Sequence, residues 1–99
     1  MDFVENAREQ LAPLISEVIE QLDAEHQVLE LSFFSLRLIQ ARQMSEGADL
    51  LGLFLELSTT AFQGFSFTAE QAERIDHLLA VAEDISFALS ASSSASDAH

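Results

Sequence analysis

Ninety-nine residues suffice for one domain, and 48% hydrophobic with 21% charged residues places the chain among folded globular proteins. Seventeen acids against four bases, every base an arginine, give a formal charge of -13, which argues against direct binding to nucleic acid or an anionic membrane, since both need dense positive charge. With no cysteine, a disulfide framework, a thiol nucleophile and a thiolate zinc site are excluded.

Val4, Ala7, Leu11, Leu14, Ile15, Val18, Ile19 and Leu22 recur at spacings of three and four and predict a first amphipathic helix. Pro13 lies inside this pattern and predicts either a kink or a helix that starts near Leu11. The N-terminal Met1-Asp2-Phe3-Val4-Glu5 has no basic and apolar signal pattern, so a cytoplasmic protein is the expectation.

Asp23 is the expected cap of a second helix running to about Ser45, with Gly47 as its left-handed terminator. Within it, Leu29-Glu30-Leu31-Ser32-Phe33 and Phe34-Ser35-Leu36-Arg37-Leu38 each alternate like a strand, but the phase slips between the phenylalanines with no turn residue. Helix is therefore preferred to hairpin. Ser32 and Ser35 are small enough to admit a close helix neighbour.

A third helix is expected over Ala48 to Gln63, with a broad arc of Leu50, Leu51, Leu53, Phe54, Leu55, Leu57, Ala61 and Phe62. Gly52 within it is either a poor helix former that is tolerated or a point where another backbone comes close. Gly64-Phe65-Ser66-Phe67 breaks the period, and Thr68-Ala69-Glu70-Gln71 reads as a capping box opening a fourth helix. That helix turns Ala72, Ile75, Leu78, Leu79, Ala82, Ile85 and Leu89 inward, and Glu70 and Arg74 form an i,i+4 pair. Beyond Ser90 the serine-rich end has nothing large to bury. The expected organisation is a helical domain over 1–90 and a disordered tail over 91–99.

Candidate chemistry is sparse. Asp23 and His26 stand three apart, with Glu17, Glu20 and Glu30 nearby, but carboxylate-bridged metal bundles draw on Glu-x-x-His pairs from two helices. His77 beside Asp76 and Glu73 has no nucleophile with it, and the glycines Gly47, Gly52 and Gly64 make no phosphate-binding pattern. Neither an enzyme, a cofactor nor a metal is expected.

The apolar arcs of the second and third helices exceed what one small protomer covers. The expected fold is an all-α four-helix bundle that forms a homodimer through helices 2 and 3. The interface candidates are Phe33, Phe34, Leu38, Leu50, Leu53, Phe54, Leu57, Phe65 and Phe67, the last two also readable as a lid over the bundle end. Glu70, Glu73, Asp76, Glu83 and Asp84 form an acidic surface. The expected function is a regulatory or adaptor protein that sequesters a protein partner with a basic surface, for example an antiactivator of a transcription regulator. The alternatives are a DNA-mimic inhibitor of a basic nucleic-acid-binding protein and a secretion or folding chaperone.

Overall fold

The three-and-four spacing from Val4 to Leu22 produces one continuous helix, α1 (Phe3–Ala24), in a computed structural model that describes residues 3–97. Residues 1, 2, 98 and 99, and the side chains of residues 61, 62 and 92–97, lie outside that description. Pro13 does not start the helix. It sits mid-helix on the exposed face, where water can satisfy the carbonyl that loses its backbone donor.

Asp23 is not the cap of the second helix, as expected from its type, because α1 runs through it. The chain turns instead at His26, whose φ of 56° is left-handed. The Gln27 N–H donates to the Leu22 carbonyl at 3.0 Å and the His26 N–H to the Asp23 carbonyl at 3.1 Å, the two bonds of a Schellman termination. Histidine occupies the position that glycine usually fills, and α2 (Val28–Arg42) begins two residues later.

Gly47 is likewise not a terminator but the first residue of α3 (Gly47–Ser58). The Asp49 carboxylate accepts hydrogen bonds from the Ser45 and Glu46 N–H groups, both at 3.0 Å, and from the Ser45 hydroxyl at 3.3 Å. Those bonds, the Ser45 amide's first and the Glu46 amide's next, hold its pKa below the usual carboxylate range. A Cβ on Gly47 would stand 3.1 Å from Leu89 Cδ2, so glycine allows α3 to start close against the fourth helix.

The third helix ends at Ser58 rather than Gln63. Ser58 Oγ donates to the Phe54 carbonyl, and the Thr59 and Thr60 hydroxyls donate to the carbonyls of Glu56 and Leu57. Such local bonds compete with the helical ladder, and the chain tightens into a 3-10 turn over Thr59–Phe62. Gly64 then reverses direction at φ 73°.

The capping box at Thr68 forms as its sequence predicts: the Thr68 N–H donates to Gln71 Oε1 at 3.0 Å and the Gln71 N–H to Thr68 Oγ1 at 3.1 Å. It opens α4 (Ala69–Asp97). The expected disordered tail over 91–99 falls chiefly on positions whose side chains, and at 98 and 99 whose backbone, lie outside the described residues.

The result is an all-α bundle. Helix α1 packs between α2 and α4, and α3 closes the opposite side by touching both and, less extensively, α1. The core combines Leu11, Ile15, Val18 and Leu22 of α1 with Phe34, Leu50, Leu53, Leu57 and Leu78 from the other three helices. No described helix is long and apolar enough to cross a membrane.

Candidate protein-binding surfaces

Four of the nine interface candidates do not reach the surface. Phe34, Leu50, Leu53 and Leu57 are fully enclosed by the protomer's own core. Their spacing already matched a core stripe, and three facing helices supply all the apolar contact they need. Phe33, Leu38, Phe54, Phe65 and Phe67 are half-buried.

Phe65 and Phe67 form the lid. Phe33 meets Phe34 at 5.1 Å and Phe65 at 5.4 Å, while Phe67 meets Phe34 at 6.3 Å and Phe65 at 6.0 Å. All four contacts are edge-to-face, the arrangement that sets a ring's positive edge against its neighbour's negative face. The Arg37 guanidinium lies 5.0 Å from the Phe33 ring centre and its Nη1 pairs with Glu56 at 2.8 Å, tying α2 to α3. Phe33 and Phe34 therefore serve one cluster despite pointing in different directions from the helix.

Beside this cluster lies a polar network that the sequence did not reveal. Gln71 is buried, and its Nε2 donates to Gln27 Oε1 at 2.6 Å. Gln27 Nε2 in turn donates to the Ser66 carbonyl at 2.6 Å and to Glu30 Oε2 at 3.1 Å. A buried glutamine needs such partners, and these fasten the lid segment and α4 to the start of α2.

Large apolar side chains nevertheless remain exposed on two faces. On α2, Val28, Leu29, Leu36 and Ile39 are 68%, 74%, 56% and 50% exposed. Leu29, Ser32, Leu36 and Ile39 follow a three-four-three spacing on the side opposite Phe34, the spacing of a helix-pairing seam. On the other face, Leu51 and Leu55 of α3 and Phe87 of α4 are 38%, 65% and 76% exposed. With Phe54, Glu83, Ser86 and Ser90 they line a groove of about 430 Å³ between α3 and α4. A second hollow, lined by Gly47, Ala48, Leu51, Leu89 and Ser90, continues the same seam toward the start of α3.

Sequence reasoning passed over Leu29, Leu36, Ile39, Leu51, Leu55 and Phe87 as binding residues. The available signal was phase: each lies away from its helix's buried line, Phe34 and Ala41 on α2, Leu53 and Leu57 on α3, or Leu78 and Ala82 on α4.

Glu70, Glu73, Asp76, Glu83 and Asp84 are all exposed on α4. Arg74 pairs with Glu17 at 3.4 Å and with Glu70 at 3.8 Å, the second being the expected i,i+4 pair. Among the described residues no group of three or more His, Asp or Glu is placed to hold a metal ion.

Comparison with family models, curated proteins and solved structures finds no match to this chain.

Proposed function

We propose that this chain is a non-enzymatic protein-binding module, a small regulatory or adaptor protein that holds a partner protein and withdraws it from its other contacts. The observation that carries this reading is the exposure of large apolar side chains on two separate faces of a chain whose net charge is -13. Contiguous apolar surface in a soluble monomer marks a contact site, and the remaining acidic surface speeds encounter with a basic partner through long-range attraction. An antiactivator that covers the working surface of a transcription regulator is a concrete form of this activity.

The outer face of α2 suits a second copy of the chain. Leu29, Ser32, Leu36 and Ile39 place no charge along its seam, so two copies meet there without opposing carboxylates. Ser32 is small and lets the paired helices approach closely. A two-fold contact of this kind is self-complementary. No residue of α2 lines the α3/α4 groove, so each protomer of such a dimer keeps one groove outside that contact.

Affinity capture of bound protein at low and high salt, from wild type and from Leu55→Glu, tests the reading. A partner that stays bound in high salt and is lost in the variant supports apolar recognition. A partner released by salt and indifferent to Leu55→Glu supports the DNA-mimic alternative, which rests on the exposed carboxylates of α4. Capture of an array of unfolded clients would favour the chaperone alternative.

A further inference from the structure

We propose that the α3/α4 groove receives an amphipathic helix of a partner protein, one that carries lysine or arginine beside its apolar anchors. The proposal rests on the protein-binding reading above and names the occupant of one of its two surfaces. The seam between Gly47 and Leu55 spans eight helical steps, about 12 Å at 1.5 Å per residue. That length accommodates apolar anchors at i and i+7 on a docked helix, about 10.5 Å apart. Phe54 supplies a half-buried wall, while Leu51, Leu55 and Phe87 supply exposed rims that a second apolar surface would cover.

Charge selects among possible occupants. Glu83 lines the groove, and Asp76 stands two turns earlier on the same line of α4. Among the described residues lining the two hollows there is no base. Three of the four arginines are engaged inside the chain: Arg8 donates to the Met44 carbonyl, Arg37 pairs with Glu56, and Arg74 pairs with Glu17 and Glu70. A second copy would bring a like carboxylate edge against Glu83, whereas a basic helix edge would neutralise it. Ser86, only 5% exposed, closes the floor of the groove between the apolar rims.

The test uses a synthetic helical peptide of about four turns, with leucines at i, i+4 and i+7 and lysines flanking them, and a twin with glutamates in place of the lysines. Binding to the full chain is followed by fluorescence anisotropy and by amide shifts in the NMR spectrum. The lysine peptide should shift residues 47–55 and 83–90 and bind about twofold to fivefold more tightly than its twin, the range one rim charge commands. Glu83→Lys should erase or invert that preference, and Leu55→Glu should abolish binding while the helical signal is kept. Equal binding of the two peptides, shifts confined to α2, or no binding would overturn the proposal. So would a fall in oligomer mass caused by Leu55→Glu alone, which would assign the groove to a second copy. A native partner lost on Leu36→Glu but retained on Leu55→Glu would leave the protein-binding reading standing and remove this groove from it.

Discussion

Replacing Gln71 by alanine perturbs the one buried side-chain network in the described core and should cost far more than a surface glutamine does. Two partners lose their bonds: Gln27 Oε1, now 2.6 Å from Gln71 Nε2, and the Thr68 N–H, now 3.0 Å from Gln71 Oε1. Breaking one half of a capping box costs about 1 kcal/mol. Leaving a part-buried amide oxygen without its donor adds about 1–3 kcal/mol. The expected loss is therefore about 2–4 kcal/mol, a large share of the 5–15 kcal/mol typical of a domain this size. At 4–8 °C per kcal/mol it lowers the melting temperature by about 10–30 °C. Urea denaturation followed by circular dichroism measures it, with the exposed Gln63→Ala as the control. Adding Gln27→Ala should produce less than additive loss, because both changes break the same bond. A Gln71→Ala loss below about 0.5 kcal/mol, or strict additivity of the pair, would refute the assignment of stability to this network.

Three further substitutions probe the interior of α3 and the ends of α1 and α3. Gly52→Ala should stabilise the protein by about 0.5–1 kcal/mol, because the added Cβ would meet nothing nearer than Gln40 Nε2 at 4.0 Å; a destabilised variant in urea titration would show that glycine is required there. His26→Gly should stabilise by up to about 1 kcal/mol, because glycine adopts the observed φ of 56° without strain; a lowered melting temperature would mean that the imidazole makes a contribution larger than the backbone relief. Asp49→Asn should remove a pH-dependent contribution to stability: a carboxyl whose pKa is lowered in the folded state from its ordinary value stabilises the fold above the unfolded-state pKa and loses that contribution as pH falls through the folded one. The gap between wild type and Asp49→Asn in urea midpoint should be widest near neutrality and close in acid, and a gap independent of pH would contradict the cap.

Helix existence was legible in the sequence because apolar residues at three-and-four spacing have one common solution, an inward stripe, and Thr68 with Gln71 announced the start of α4 in advance. The boundaries were less legible for physical reasons tied to particular residues. His26 takes a left-handed conformation that glycine usually signals, so the true end of α1 was hidden while Asp23 offered a false cap. Thr59 and Thr60 end α3 through their hydroxyls rather than through a breaker. Composition suggested surplus apolar surface but not its location. Phe34 and Leu53 are fully enclosed in the core, whereas the exposed apolar faces of α2 and of the α3/α4 seam emerge only once the packing directions are known. The burial of Gln71 and its bond to Gln27 were not legible, because a polar residue reads as exposed until its partners are in place.

Solution mass by light scattering tests most directly whether the exposed apolar faces are contact surfaces and whether the outer face of α2 joins two copies. Wild type at micromolar concentration should show twice the 10.9 kDa mass of one chain, and Leu36→Glu should return it to the single-chain mass with its helical signal intact. A wild-type protein that remains at 10.9 kDa across the concentration range, or a dimer that Leu36→Glu leaves unchanged, would contradict the α2 contact.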